Sequence, residues 1–414
     1  MRVLLADPPA MMLDASGLTR QVEPLGLAYV ASALAAEHDV RLLLPDTRSY
    51  TGPDPWAEIA SAVAGEAPDV VGITVVTAAL PAAARLVELV RGLDRDVRVV
   101  LGGAHPTADP LGALNATGAD FAVIGEGEDA INELLRALSG GPAASLAGIR
   151  GLAWRAPDGL AHANPRRPPI ADLDRLARPM RDRLVWPEDI EPPFYQAMLS
   201  SRGCNSSCLY CASGLMGRGL RLRSVAGVLD EIAALRSEYG VSHAFFQDSV
   251  FTGNRARTLD LCTALARDVE ITFDCQTRVD CLDPELLPVM AEGGCRHIML
   301  GIESGDEETL RRIGKPGRLT RTPEVAKQIR RAGIRSTGFF MIGWPWDDAA
   351  RIQQTADFAC SIGLDAVFLF SVTPLPGTRL WEMVSGRAMP ASVDFRSPAV
   401  NLTSLSDPDY ARLF

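Results

Sequence analysis

Residues 201–211 read Ser201-Arg202-Gly203-Cys204-Asn205-Ser206-Ser207-Cys208-Leu209-Tyr210-Cys211. Three of the eight cysteines of the chain lie within eight consecutive residues of this stretch, and the other five are scattered. The stretch comes directly after residues 196–200, a short run that is typical of a buried strand. Thiolates are the usual ligands of iron–sulfur clusters, and this loop is short enough to place three of them around one cluster. The spacing therefore predicts a cluster held by Cys204, Cys208 and Cys211.

Two other interpretations of these cysteines are weaker. A zinc site with three cysteines needs a fourth ligand nearby, and no histidine lies between Cys211 and His243. Chance clustering of buried thiols does not explain their position at a strand end, beside Gly203 and the turn residues 205–207. Three ligands on a four-iron cluster also leave one iron open to a reacting molecule.

Strand-like and helix-like segments alternate after the cysteine loop. Six strands are predicted, at residues 196–200, 242–246, 271–276, 297–301, 336–342 and 366–371, each separated from the next by a helical pattern. A complete eight-fold barrel needs ~250 residues, so this shorter series predicts a partial (βα)6 barrel over 191–385. Residues 386–414 have no periodic pattern and are expected to form an irregular tail.

The amino-terminal part alternates in the same way. Strands are predicted at residues 3–6, 40–44, 70–76, 97–102 and 121–124, with amphipathic stretches between them. This α/β pattern predicts a doubly wound, Rossmann-like domain over 1–138, with ligands at the carboxyl ends of its strands. Residues 139–190 are rich in proline and are expected to form a linker, with a short hairpin around 151–154 and a helix near 173–176.

The pattern C-x-x-x-C-x-x-C after the first strand of a partial barrel resembles the radical S-adenosylmethionine (SAM) superfamily. The resemblance implies a [4Fe–4S] cluster whose open iron binds the amino and carboxylate groups of SAM. It also implies an electron donor such as flavodoxin or ferredoxin, and reductive cleavage of SAM to a 5′-deoxyadenosyl radical. Tyr210 matches the aromatic residue that the family places before the last cysteine.

Four further residues match the family at successive strand ends. Asp248 stands where members contact the methionine amino group, and Arg278 is suited to a carboxylate. Glu303 stands at the ribose-binding position, where a carboxylate accepts from hydroxyls. Gly343 belongs to the segment 338–345, whose backbone is expected to meet the adenine.

The amino-terminal domain resembles the cobalamin-binding branch of this superfamily. The residues expected near cobalamin lie at or after strand ends: Thr74, Gly102, Gly103 and Glu126. Many cobalamin-binding domains have a D-x-H-x-x-G loop, but here Arg48 replaces its histidine. Because guanidinium has no lone pair to donate, cobalamin is expected to bind without a protein histidine. His105 is interpreted as a residue that caps a turn or contacts the cofactor tail, in preference to a metal ligand.

Composition restricts the partners. Hydrophobic residues at 47% and charged residues at 22% are typical of a globular protein, and a net charge of −10 disfavours nucleic acid. The sequence contains no run of 18 or more uncharged apolar residues, so no membrane span is predicted. The start lacks a signal-peptide pattern, so a cytoplasmic protein with reduced thiols is expected.

The resemblance thus implies a cobalamin-dependent radical SAM methyltransferase that acts on an unactivated carbon of a small molecule. One alternative is a non-methylating radical SAM enzyme, such as a cyclase or a rearranging enzyme. Another is that the first domain has lost cobalamin and only shapes the substrate site. An RNA-modifying enzyme is disfavoured by the charge. An iron–sulfur electron carrier would need neither the barrel nor Glu303 and Arg278.

Overall fold

Apolar runs and amphipathic segments alternate along the chain, and in the computed structural model they fold into two compact units. The first unit comprises Met1–Tyr195 with Leu215–Gly217, and the second comprises Gln196–Gly214 with Arg218–Phe414. The structure describes residues 1–9, 23–47, 54–140, 146–156, 158–317, 319–384 and 400–414.

The first unit contains a seven-stranded sheet with the order β2-β1-β3-β4-β5-β6-β7. Its strands are β1 Arg2–Ala6, β2 Asp39–Leu43, β3 Val70–Thr74, β4 Arg98–Gly102, β5 Phe121–Val123, β6 Leu152–Arg155 and β7 Ala161–Ala163. The first five strands are parallel to their neighbours and have the order 2-1-3-4-5 of a doubly wound fold. The last two pair antiparallel.

Helices cover both faces of this sheet, which is why its central strands are apolar on both sides. The helices are α1 Leu25–Leu34, α2 Pro55–Glu66, α3 Leu80–Leu93, α4 Ala104–Ala108, α5 Pro110–Thr117 and α6 Glu128–Leu138. Side chains of successive strand residues alternate between the faces. Leu4 therefore joins one core cluster, and its neighbours Val3 and Leu5 join the other.

The segment 139–190, expected to be a linker, differs from that expectation because part of it belongs to the first sheet. β6 and β7 lie inside it, and Leu42 at the opposite sheet edge makes a parallel bridge with Leu184. The Leu42 amide donates to the carbonyl of Arg183, and the Val185 amide donates to the carbonyl of Leu42. The sequence predicted a hairpin around 151–154, where β6 lies, but it did not predict that this hairpin joins β5 or that Leu42 bridges Leu184, because these partners are distant in the chain. The helix predicted near 173–176 is wrong, since these residues form a turn.

The second unit contains a six-stranded sheet with the order β15-β14-β13-β12-β11-β8, all parallel, and a separate two-stranded ribbon, β9 with β10. The strands are β8 Ala197–Met198, β9 Ser201–Arg202, β10 Arg221–Leu222, β11 His243–Phe246, β12 Thr272–Arg278, β13 Cys295–Glu303, β14 Arg335–Ile342 and β15 Ala366–Ser371. The helices are α7 Val225–Tyr239, α8 Arg255–Asp268, α9 Leu286–Glu292, α10 Glu307–Arg312, α11 Thr322–Arg331, α12 Ala349–Ser361, α13 Arg379–Val384 and α14 Asp407–Leu413.

Each strand of this sheet lies beside its neighbour in the chain, which is the arrangement of a partial barrel, and the predicted fold class is confirmed. The tail expected to be irregular contains α14, which begins after Ser406 and carries the buried Tyr410. Residues 386–399 of that tail lie outside the described part. No helix within the described ranges is long and apolar enough to cross a membrane.

Candidate active site

The cysteine loop follows β9 at the carboxyl edge of the second sheet, and backbone hydrogen bonds hold its centre. The Leu209 amide donates to the carbonyl of Ile313 over 3.1 Å, and the Leu380 amide donates to the carbonyl of Leu209 over 3.0 Å. β9 and β10 pair antiparallel and so join the two ends of residues 203–220. The loop is therefore tied to two distant parts of its own unit.

The three thiols of this loop are free and accessible. Cys204 and Cys208 are partly exposed and Cys211 is exposed, whereas three of the other five cysteines are buried. In the described residues, no three Cys, His, Asp or Glu side chains converge closely enough to hold one metal ion. Each thiolate of a multinuclear cluster binds a different iron, so its ligands need not converge. Free thiols on one accessible loop fit a cluster.

Backbone amides already point at two of the sulfurs. The Ser206 amide lies 3.4 Å from the Cys204 sulfur, and the Ser213 amide lies 3.4 Å from the Cys211 sulfur. In both cases the donor is two residues after the cysteine. Such N–H groups stabilise negative charge on sulfur.

The Cys208 sulfur has a side-chain donor instead. Arg278, the last residue of β12, places its Nη1 3.3 Å from that sulfur, and its Nε and Nη2 lie 3.1 and 3.0 Å from the two oxygens of Asp280. Burial lowers the pKa of Arg278, but the Asp280 carboxylate outweighs burial and the pKa is raised. The structure thus brings Arg278 to the cysteine loop, as a charged donor to sulfur.

Asp248 is fully buried and holds the start of the cysteine loop. Its carboxylate accepts from the Ser200 amide over 3.0 Å, from the Ser200 hydroxyl over 2.8 Å and from the Ser201 hydroxyl. Burial raises its pKa, and these three donors oppose the rise. In the structure this carboxylate binds Ser200 and Ser201. Its expected contact with the methionine amino group of SAM stays a prediction.

Glu303 ends β13 in a left-handed backbone conformation, with φ of 78°. This conformation is uncommon for a residue with a side chain and is often found at functional sites. Its buried carboxylate forms an ion pair with Lys315, whose ammonium also donates to the carbonyl of Gly301 over 3.2 Å. Burial and the nearby charges of Glu303 and Cys208 raise the pKa of Tyr210, which therefore stays protonated.

Gly343 follows β14 with φ of 91°, in the segment expected to meet the adenine. A Cβ atom here would lie 2.0 Å from the Tyr410 hydroxyl, so only glycine fits. The amides of Gly343 and Trp344 donate to Asp347 over 3.0 and 3.1 Å. The turn is thus held by one carboxylate, and an adenine at this segment would have to use other backbone groups.

Burial raises the pKa of Asp347 to about 6, against the two amide donors. A carboxyl whose pKa is raised on folding binds its proton more tightly in the folded state, so stability falls as pH rises through the window from about 4 to 6. Between pH 4.5 and 7 the free energy of unfolding of the wild type should fall by about 2 kcal/mol because of Asp347, and we expect Asp347→Asn to abolish this fall. Urea unfolding of the apoprotein at both values measures it. An equal pH dependence in wild type and variant would contradict it, and Asp348→Asn serves as the control.

Three titratable side chains, whose proximity the sequence did not predict, meet across β11, β12 and β13. Asp274 places one oxygen 3.3 Å from His243 Nε2 and the other 3.4 Å from His297 Nδ1. Burial raises the pKa of Asp274, but its two histidine partners outweigh burial and the pKa is lowered. The strand register aligns the three residues, and a single sequence does not reveal that register.

In the first unit, three of the residues expected near cobalamin meet where β3 and β4 end. Thr74 pairs with Gly102, and Gly103 follows with φ of 98°. A Cβ atom on residue 103 would lie 3.0 Å from the Thr74 hydroxyl and from the Val75 backbone, so glycine lets the two strand ends approach.

Three other residues of the first unit were singled out in the sequence: Glu126, His105 and Arg48. Glu126 accepts a hydrogen bond from the Ile170 amide over 2.6 Å, so it ties the connecting segment to the domain. His105 is buried, with Nδ1 3.2 Å from the Thr77 hydroxyl, and burial lowers its pKa although Asp109 opposes this. Arg48 lies outside the described residues.

Lys315 and Asp280 are the site residues that sequence reasoning missed. One signal was available for Lys315, because the chain has only two lysines and this one sits between Gly314 and Pro316. Asp280 follows Arg278 by two residues, but nothing in that spacing shows that the two side chains form a fork.

Family models match two regions of the chain: residues 17–135 match the B12 binding domain, and residues 198–359 match the Radical SAM superfamily. The uncharacterized methyltransferase PH0819 of Pyrococcus horikoshii is 32% identical over 402 residues, which cover 96% of this chain and 86% of that protein. The anaerobic magnesium-protoporphyrin IX monomethyl ester cyclase of Rubrivivax gelatinosus is 29% identical over 367 residues, 87% of this chain and 66% of that protein.

Among solved structures, the radical S-adenosylmethionine methyltransferase TsrM from Kitasatospora setae, with cobalamin and a [4Fe–4S] cluster bound, has the same fold. The TM-score is 0.76 at 20% identity, covering 93% of this chain and 74% of that chain. The two matched regions coincide with the doubly wound unit and the partial barrel, and the predicted resemblance is confirmed. The chain is an enzyme of the radical SAM superfamily, and it belongs to the members that carry a B12 binding domain ahead of the radical SAM domain.

Proposed function

We propose that this enzyme is a cobalamin-dependent methyltransferase that methylates an unactivated carbon of a small molecule. The observation that carries the proposal is the cysteine loop: three free, accessible thiols, each with an N–H group within 3.4 Å of its sulfur. When bound, the cluster supplies the electron that cleaves SAM, and cobalamin supplies the methyl group. The relative PH0819 and the neighbour TsrM are both called methyltransferases.

The residues of this chain would hold SAM at the carboxyl edge of the second sheet. Glu303 gives one oxygen to Lys315, but a carboxylate offers about four acceptor positions and can still accept from ribose hydroxyls. The turn at Gly343 would meet the adenine through groups other than the two amides bound to Asp347. Asp248 would contact the methionine amino group, and in the structure it also fixes the two serines before the cysteine loop.

Partners follow from the same chemistry. The electron would come from a small donor such as flavodoxin or ferredoxin. None of the eight cysteines is in a disulfide, which supports the cytoplasm as the compartment, since thiols stay reduced there. The net charge of −10 favours a small-molecule substrate over a nucleic acid.

A radical reaction without methyl transfer is the second candidate, and it is favoured by the 29% identity to a cyclase. Both candidates cleave SAM through the same cluster. They differ in whether the methyl group of SAM reaches the product.

Anaerobic reconstitution with iron, sulfide and hydroxocobalamin, followed by desalting and spectroscopy, tests the proposal. We expect a four-iron cluster signal after reduction, together with retained cobalamin that lacks a nitrogen ligand. With SAM labelled in its methyl group, candidate substrates should acquire the label. A cluster with 5′-deoxyadenosine formation but no label in the product, with or without bound cobalamin, would transfer the assignment to the second candidate. Absence of any cluster would refute both.

A further inference from the structure

The donors that face the three cluster sulfurs are not equivalent. Cys204 and Cys211 each receive a neutral backbone amide from a residue within the loop itself. Cys208 receives Nη1 of Arg278, which comes from the end of a different strand, β12. The Ser213 hydroxyl also lies 3.2 Å from the Cys211 sulfur, but it is neutral. Of these groups, only Arg278 carries a full positive charge.

The guanidinium is fixed in place. Asp280 engages Nε and Nη2 in a two-point fork at 3.1 and 3.0 Å, which leaves Nη1 directed at the sulfur over 3.3 Å. The Arg278 side chain is only 12% exposed, so solvent screens its charge weakly. A fork of this kind gives direction as well as energy, and lysine cannot reproduce it.

We propose that Arg278, positioned by Asp280, donates a charge-assisted hydrogen bond to the Cys208 sulfur and thereby raises the reduction potential of the cluster. Hydrogen bonds to cluster sulfurs and nearby charge are two of the properties that set this potential. Adding one electron makes the cluster and its thiolates more negative, and a fixed cation beside one sulfur stabilises that reduced state. Reduction by a weak cytoplasmic donor becomes easier in consequence.

This role differs from the pairing with a carboxylate that the sequence predicts for Arg278. It rests on the cluster part of the proposed function and is independent of cobalamin and of methyl transfer. Arg278 is therefore a positioning and tuning residue in this proposal, and its effect is visible without SAM.

The test is an electron paramagnetic resonance redox titration of the reconstituted protein without SAM. We expect a more negative midpoint potential in Arg278→Gln than in wild type. Arg278→Lys keeps the charge but not the fork, and it should recover less than half of the shift. Arg267→Gln is the matched control, because Arg267 is exposed and pairs with Asp268 on the surface. An unchanged potential in Arg278→Gln, or full recovery in Arg278→Lys, would overturn the proposal.

A second measurement keeps the proposal testable if the variants do not bind a cluster. Wild-type protein grown with ¹⁵N-arginine should show a ¹⁵N coupling to the reduced cluster in pulsed resonance spectra. Absence of the coupling would overturn the inference while the cluster itself remains. Failure of the wild type to load any cluster would instead remove the proposed function.

Discussion

Replacement of Cys208 by alanine is expected to abolish cluster assembly and SAM cleavage together. Cys208 is the middle one of the three predicted ligands, and its loss would leave two thiols for the cluster. It also leaves Nη1 of Arg278 facing a methyl group, while Asp280 still holds Nε and Nη2. Reconstitution should yield less than a tenth of the wild-type iron and no 5′-deoxyadenosine.

Cys360→Ala provides the control for that experiment, because Cys360 is an exposed free thiol on α12. It should keep wild-type iron content and cleavage. Circular dichroism of both apoproteins would establish that neither substitution unfolds the chain. Normal 5′-deoxyadenosine formation by Cys208→Ala would show that these cysteines are not the cluster ligands.

Lys315→Met is the substitution expected to cost the most stability. Lys315 and Glu303 are a buried pair, with side chains only 4% and 9% exposed. Removing one partner of a buried ion pair leaves an uncompensated charge, which typically costs about 3–5 kcal/mol. The unpaired charge of Glu303 would also lie near Tyr210 of the cysteine loop, with which it interacts electrostatically. Calorimetric unfolding of the apoprotein measures the loss.

Lys327→Met gives a matched control, since Lys327 is the only other lysine and is exposed on α11. It should change the free energy of unfolding by less than about 0.5 kcal/mol. The double variant Glu303→Gln with Lys315→Met should regain part of the loss, because the unpaired charge is gone. If Lys315→Met were as stable as wild type, the ion pair would not hold the end of β13.

Local sequence features were enough to predict the cysteine loop. Cys204, Cys208 and Cys211 lie within eight residues of the chain, and their spacing alone predicts that they share one iron–sulfur cluster. The two α/β series were equally visible, because strand and helix periods differ and repeat. These features depend on neighbours in sequence, so one chain without relatives is sufficient to find them.

The site partners were not predictable in the same way. Phe246, Gln247 and Asp248 alternate between buried, partly exposed and buried, so Asp248 faces the serines on the inner side. The family pattern placed Asp248 at the correct strand end but could not say which way it points. The Arg278–Cys208 contact joins residues 70 positions apart, and it depends on the register of the whole sheet.

The backbone bond from Leu380 to the cysteine loop has a consequence for how the protein is made. Roughly 170 residues separate Cys211 from Leu380, and at ~5–20 residues per second their synthesis takes roughly 10–30 s. Until Leu380 is made, the cysteine loop lacks the backbone bond that holds it at Leu209. The iron content of ribosome-bound chains halted before residue 380 would show whether cluster loading waits until Leu380 has been made. We expect it to wait, so that the supply of iron and sulfide must reach a finished polypeptide and not a nascent one.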